Sequence, residues 1–160
     1  MIDKWMRDRK EALAGVRDGS VVMVGGFGAV GQPDFLVDGL AEQGARDLTL
    51  VVNNAGWSRD TGVPRLIDLG RVRKIVCSYP KNSPAFDDRF RAGEIELEIV
   101  PQGTLAERIR AAAAGIPAFY TPTGAGTLMA RDKEVREFDG RPHLLEHALR
   151  ADVALIEAWS

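Results

Sequence analysis

Short apolar runs alternate along the chain with segments whose apolar residues recur at helical spacing. The run Val21–Val24 ends in glycines, and Pro33 then opens an amphipathic segment that Gly44 closes. A continuous apolar run is typical of a parallel strand covered on both faces, and proline favours the first turn of a helix. The pattern therefore predicts a strand, a glycine loop and a helix in succession.

The same alternation continues to the end of the chain. Strands are predicted at Leu48–Val52, Lys74–Ser78, Glu94–Val100, Ala118–Thr121 and Val153–Ala158, and helices at Lys4–Val16, Pro64–Leu69, Pro84–Arg91 and Leu105–Ala114. Thr104, followed by Glu107 three residues later, predicts a capping box at the start of the last helix. The charged segment up to Gly140 is assigned no element. Strands that alternate with helices indicate an α/β fold, with a mostly parallel sheet and helices on both faces.

Length and charge narrow the class of protein. A chain of 160 residues is expected to form a single domain. Its 21 basic and 23 acidic residues give a net charge of -2 without a block of like charges, which argues against nucleic acid or a membrane surface as partner. The single Cys77 and the charged N-terminus favour the cytoplasm, and no apolar run approaches the length of a transmembrane helix.

The glycine loop allows two interpretations. Residues 26–31, GFGAVG, match the G-x-G-x-x-G pattern of dinucleotide-binding folds, in which the third glycine lies within the helix. Here Pro33 predicts that the helix starts only after Gly31, and the second predicted strand ends in Asn53 and Asn54 rather than in a ribose-binding acid. A Rossmann-type oxidoreductase domain stays open as an alternative, as does a plain strand-to-helix turn.

Residues 18–33, DGSVVMVGGFGAVGQP, resemble the signature of the first subunit of 3-oxoacid CoA-transferases. The resemblance extends through NNAG (53–56), RAGEIELE (91–98), PQGTLAERIR (101–110) and YTPTG (120–124), and so covers most of the chain. Within that family the MIDK start and the CSYP segment (77–80) look closest to the 3-oxoadipate enzymes, with acetoacetate as the next acceptor.

The resemblance implies a reaction and a partner. Enzymes of this family move CoA from a donor such as succinyl-CoA to a 3-oxo acid, through a glutamate that becomes an acyl anhydride and then a glutamyl-CoA thioester. That glutamate lies in a Ser-Glu-Asn-Gly stretch of a second CoA-transferase subunit, and this sequence has no such stretch. The resemblance implies a heterodimer or heterotetramer with that second subunit, and CoA and acyl-CoA as substrates without a permanently bound cofactor.

Candidate site residues follow the predicted strands at their carboxyl ends, the edge where parallel sheets bind ligands. Gln102 matches the family glutamine that donates to the acyl oxygen; bracing of a loop is the alternative role. Backbone or side-chain contacts to the substrate are expected from Gly25, Gly26, Phe27, Gly28, Asn53, Asn54, Thr123 and Gly124. Phe27 could equally pack, Asn53 and Asn54 could form a turn, and the Thr123–Thr127 segment could be a flexible wall near the acyl site.

A six-carbon dicarboxylic acceptor would need a cation for its distal carboxylate. Arg59 and Lys81 both follow carboxyl ends of predicted strands; two solvated loop charges are the alternative. Cys77 is interpreted as a buried thiol, and His143 and His147 as surface residues rather than metal ligands.

Two alternatives remain beside the CoA-transferase interpretation. One is the dinucleotide-binding domain, and the other is a scaffold or sugar-phosphate isomerase relative on a similar fold. In the family that the chain resembles, first subunits continue some tens of residues past the position of Trp159. We therefore expect this chain to represent part of the family domain.

Overall fold

A computed structural model of the chain describes residues 5–57 and 61–158. They form two compact units, of which the first comprises the residues up to Glu98 and from Ala151 onward, and the second Ile99–Arg150. The first unit holds helices α1 (Arg9–Ala12), α2 (Asp34–Gln43), α3 (Val63–Asp68) and α4 (Pro84–Arg91), with strands β1 (Val21–Val24), β2 (Leu48–Asn54), β3 (Val72–Tyr79), β4 (Glu96–Ile99, which ends at the boundary) and β8 (Val153–Leu155). The second holds α5 (Gln102–Ala113), a 3-10 turn at Leu128–Ala130, β5 (Ala118–Thr121), β6 (Val135–Phe138) and β7 (Arg141–His147). The single domain expected from chain length stays a prediction.

The strands of the first unit form one sheet in the order β4-β3-β2-β1-β8. β1 pairs in parallel with both β2 and β8, and β2 pairs in parallel with β3. In this register Val24 lies opposite Val52, and Val52 lies opposite Cys77. The carboxyl ends of β1, β2 and β3 therefore lie side by side at one edge, and the predicted α/β fold with a mostly parallel sheet is confirmed.

The core of the first unit lies between one face of this sheet and the helices. Val22, Leu50 and Ile75 on the strands share a buried cluster with Leu40 of α2 and Leu66 of α3, all fully enclosed. The opposite face of the central strands is buried as well, at Val51 and Val76. Burial on both faces explains why the strands appear in the sequence as continuous apolar runs instead of alternating ones.

Helix ends marked by proline and glycine match the predictions best. α4 begins at Pro84 and ends at Arg91 as expected, and α2 ends at Gly44, whose φ of 93° is the left-handed conformation that glycine adopts at helix ends. The first helix was predicted at Lys4–Val16, which is too long. Lys4 lies outside the described residues, and α1 covers only Arg9–Ala12 after its N-cap Asp8, whose Oδ1 accepts a hydrogen bond from the Glu11 amide at 2.8 Å. None of the described helices is long and apolar enough to cross a membrane.

The predicted capping box at Thr104 was wrong. α5 begins three residues earlier than predicted, at Gln102 with Pro101 as its N-cap, and Leu105 donates its amide hydrogen to the Pro101 carbonyl at 2.8 Å. Thr104 is buried inside the first turn, and Glu107 pairs with Arg110 at 2.7 Å. The reason is Pro101, whose ring holds φ near -52° and carries the chain directly into the helix.

The second unit contains strands that the sequence pattern did not predict. Its antiparallel sheet has the order β5-β7-β6, and β6 and β7 form a hairpin around Asp139 and Gly140. Both turn residues have positive φ, 49° and 72°, as a two-residue type I′ turn requires. All four residues of β6 are exposed, so it has no alternating pattern to recognise, and on β7 one of the two buried positions is a glutamate, Glu146, which pairs with Lys133.

Gly56, two residues after β2, lets the chain pass close over the start of α3. Its φ is 104°, and a Cβ placed there would lie 2.2 Å from Cγ of Pro64. We expect Gly56→Ala to destabilise the fold by about 1–3 kcal/mol more than Gly19→Ala, since Gly19 (φ 79°) has open space around it and would suffer only backbone strain. Urea unfolding of both variants measures the difference. Equal losses would show that the contact with Pro64 relaxes freely.

Candidate active site at the carboxyl edge of the parallel sheet

The glycine loop after β1 is a closed turn. Phe27 and Val30 exchange two backbone hydrogen bonds of 2.9 and 3.0 Å, which leaves Gly28 and Ala29 at the tip. Gly28 has φ 62°, as expected of the first tip residue of a type II′ turn. Since α2 starts only at Asp34, the third glycine of the motif lies outside the helix, and the dinucleotide-binding alternative gains no support.

Side chains from neighbouring segments hold this turn in place. The Gln32 side-chain amide donates to the Gly28 carbonyl at 2.6 Å, and the Gly28 amide donates to Oδ1 of Asn54 at 3.1 Å. Both backbone groups of Gly28 are thus bonded within the chain. Gly26 must lack a side chain here, because a Cβ would come 2.7 Å from Cγ of Gln32. The sequence suggested Gly28 and Asn54 as site residues but gave Gln32 no role.

Asn54 links the glycine loop to the loop after β2. It is 5% exposed, and besides accepting from Gly28 it donates to the Gly56 carbonyl at 3.2 Å. Ser83, fully buried before α4, donates its hydroxyl to the Ala55 carbonyl at 2.8 Å. Ser83 was not recognised from the sequence because its partner lies 28 residues away. These bonds give Asn54 a bracing role between the two loops.

Three residues at the same sheet edge lie on the face opposite to that of Asn54. Strand register puts Gly25, Asn53 and Ser78 side by side, because they follow the paired residues Val24, Val52 and Cys77. The Gly25 amide donates to the Leu155 carbonyl of β8 at 2.9 Å, and Asn53 is half-buried. The Ser78 hydroxyl is enclosed and has no hydrogen-bond partner among the described residues. Gly25 and Asn53 were expected at this edge, whereas Ser78 was not singled out.

A shallow hollow opens beside the glycine loop on the side of α2 and α3. It is lined by Ala29, Gln32, Asp34, Trp57, Thr61 and Pro64. Burial raises the pKa of the Asp34 carboxyl, and the neighbouring carboxylates of Asp38 and Glu157 raise it further. Asp34 is the acidic residue of this lining, and its carboxylate form would repel the phosphates of a nucleotide or of CoA.

Of the two candidate cations, Lys81 lies in the described part of the chain. Lys81 is exposed in the turn between β3 and α4, directly after Pro80. Arg59 lies outside the described residues. A role in binding a carboxylate stays a prediction for both.

The remaining candidates belong to the second unit. Gln102 is the exposed first residue of α5, at a helix start that has no side-chain cap. Thr123 donates its amide hydrogen to the Thr121 hydroxyl at 3.2 Å, and Thr127 donates its hydroxyl to the Gly124 carbonyl at 2.7 Å. The segment is therefore a hydrogen-bonded turn. Contacts of Gln102, Thr123 and Gly124 with substrate stay predictions.

The cysteine and the two histidines were weighed as a reactive thiol and as metal ligands. Cys77 is buried in the core of the first unit, and burial raises the pKa of its thiol to about 11, so the reactive thiolate is scarce near neutral pH. His143 and His147 lie four residues apart on strand β7 rather than on a helix. Among residues 5–57 and 61–158, no group of three or more His, Cys, Asp or Glu side chains is arranged to hold a metal ion.

Curated proteins of similar sequence are named as CoA-transferase subunits. The chain is 55% identical over 160 residues to the first subunit of the 3-oxoadipate CoA-transferase of Pseudomonas putida, covering 99% of this chain and 69% of that protein. It is 52% identical over 153 residues to the first subunit of the succinyl-CoA:3-ketoacid coenzyme A transferase of Xanthomonas campestris pv. campestris (strain B100), covering 95% and 63%. The chain thus spans about two thirds of the length of these relatives.

Solved structures of similar fold point the same way. The acyl-CoA transferase YdiF of Escherichia coli O157:H7, as apoenzyme, superposes with a TM-score of 0.81 at 26% identity, over 92% of this chain and 33% of that one. The family model described as Coenzyme A transferase matches residues 7–160. By sequence and by fold, the chain belongs to the coenzyme A transferase family.

Proposed function

We propose that this chain is the first subunit of a heteromeric CoA-transferase that moves CoA from succinyl-CoA to a 3-oxo acid. Two kinds of observation support the proposal: similar proteins are named as the first subunits of such enzymes, and the braced glycine loop lies at the ligand-binding edge of the sheet. The braced glycine loop is the observation that carries the proposal, since a fixed loop with little side-chain bulk suits the close approach of a thioester.

In the proposed reaction the nucleophile comes from the second subunit. Its glutamate carboxylate attacks the thioester carbonyl of succinyl-CoA, and the CoA thiolate leaves as an acyl anhydride forms. The thiolate then attacks the glutamyl carbonyl of the anhydride, which releases succinate and leaves a glutamyl-CoA thioester. The carboxylate of the 3-oxo acid then attacks the glutamyl-CoA thioester, which expels the CoA thiolate and forms a second anhydride. The thiolate attacks the 3-oxoacyl carbonyl of that anhydride, which releases the 3-oxoacyl-CoA and restores the glutamate carboxylate.

This chain supplies surroundings for that chemistry. Gln102 would donate its side-chain amide to the oxygen that gains negative charge as the carbonyl is attacked. The start of α5 favours this role, because uncapped amide groups and the helix dipole stabilise negative charge there. Asn54 would act through the glycine loop by holding Gly28 in position. No resident cofactor enters the proposal, since CoA arrives and leaves as part of the substrates.

The acceptor we favour is 3-oxoadipate, with acetoacetate next. The relative from Pseudomonas putida supports the first, while the 52% identical relative is named only for 3-ketoacids. The two acids differ in a distal carboxylate, which would cost free energy if it were buried without a cation. Lys81 is the described side chain at the carboxyl end of β3 that has the required charge.

The first prediction concerns the missing nucleophile. The purified chain alone should transfer no CoA, because it lacks the Ser-Glu-Asn-Gly glutamate, and addition of the second subunit should restore turnover. Formation of 3-oxoacyl-CoA from succinyl-CoA, followed by absorbance, measures this. The second subunit with its glutamate replaced by alanine is the control and should restore nothing. Turnover by the chain on its own would disprove the division of labour.

The second prediction tests Gln102. In the complex, Gln102→Ala should lower kcat by about a hundredfold with little change in melting temperature, as expected for loss of a transition-state donor on an exposed helix start. Gln43→Ala is a matched control: its amide donates to the Val16 carbonyl at 2.7 Å and accepts from the Ala45 amide at 3.1 Å. That variant should lose stability and keep its kcat. A large fall in melting temperature for Gln102→Ala would assign this residue a bracing role instead.

The third prediction tests the choice of acceptor. Lys81→Ala should lower kcat/KM for 3-oxoadipate by roughly tenfold or more and spare acetoacetate, because only the dicarboxylic acid loses a charge-assisted hydrogen bond of about 1.5–3 kcal/mol. Arg59→Ala is the parallel variant that the sequence suggests. Lys10→Ala, which removes an exposed charge from α1, should affect neither acid. Equal losses on both acids would refute the assignment.

A further inference from the structure

The Ser78 hydroxyl is the unusual polar group of the sheet edge. The side-chain oxygen is enclosed, yet it has no hydrogen-bond partner among the described residues. The buried serines Ser20 and Ser83 are bonded: Ser20 accepts from the Arg17 amide at 3.0 Å, and Ser83 donates to the Ala55 carbonyl at 2.8 Å. An enclosed hydroxyl without a partner destabilises the fold, so its presence needs an explanation.

The position of Ser78 supplies one. It is the penultimate residue of β3, at the carboxyl end of a parallel strand, where α/β sheets bind their ligands. Strand register aligns it with Asn53 and Gly25 on one face, opposite to the face on which Asn54 braces the glycine loop. The core lies on the face of Cys77, so Ser78 is not directed into the hydrophobic cluster.

The chemistry of the group selects the kind of ligand. A hydroxyl can donate one hydrogen bond, and carbonyl and carboxylate oxygens, such as those of the proposed acyl substrates, accept it. Gly25 adds no side chain to this row, and a Cβ there would contact the Leu155 carbonyl oxygen at 3.5 Å. We infer that Ser78 is a substrate-binding residue. The residue is half-buried although its oxygen is enclosed, so rotation of the side chain when substrate binds lets the hydroxyl donate to an oxygen of the acyl group, beside Asn53. The inference rests on the proposed transferase function.

The test uses the complete complex with the second subunit. Ser78→Ala should lower kcat/KM for the 3-oxo acid by about tenfold, with an increase in KM, because an acyl oxygen loses its donor. The melting temperature should stay the same or rise, since the variant removes an unbonded hydroxyl without breaking a bond within the chain. A merely structural serine would show the opposite pattern.

Ser20→Ala is the matched control. Ser20 is a buried serine at the other end of the sheet, and its oxygen is bonded. The variant should lower the melting temperature and leave kcat/KM unchanged. Wild-type kcat/KM in Ser78→Ala, or a fall in melting temperature as large as that of Ser20→Ala, would overturn the inference for Ser78 alone. A wild-type complex that transfers CoA to no 3-oxo acid would instead overturn the proposed function.

Discussion

The parallel register of β1, β2 and β3 is the constraint on which the rest of the first unit depends. Because Val24, Val52 and Cys77 lie in one row, the residues that follow them reach the same level at the sheet edge. One face of that edge then carries Asn54 and its bonds to the two loops, and the other carries Asn53 and Ser78. A slip of one residue in any pair would exchange these faces and destroy both sets of neighbours.

The sequence predicted the fold well where local chemistry acts alone. Proline at Pro84 and glycine at Gly44 marked helix ends that the structure confirms, and continuous apolar runs identified the central strands. It failed where two local signals competed. At α5 a threonine and a glutamate formed the pattern of a capping box, but Pro101 started the helix earlier and left Thr104 facing inward.

The candidate site likewise contains residues that the sequence identified and residues that it missed. Glycines and asparagines were recognisable because few residue types adopt positive φ or favour such turns. Gln32 and Ser83 were missed, since an ordinary polar residue gains its role from a partner that only the fold brings near. Ser78 differs again, because its significance lies in a bond that is not made within the described part of the chain. No pattern of residue types in one sequence contains that information.

The path of the chain through the sheet also affects how it folds. β8 pairs with β1, and the Val21 amide donates to Oδ2 of Asp152, 131 positions later in the sequence. During synthesis β1 therefore has one open edge until almost all of this sequence has left the ribosome, whereas β6 and β7 can pair across their two-residue turn at once. Loop closure over such a separation is slow, and an unpaired strand edge invites association with other chains. Nascent chains that lack β8 therefore present the edge of β1 to other chains.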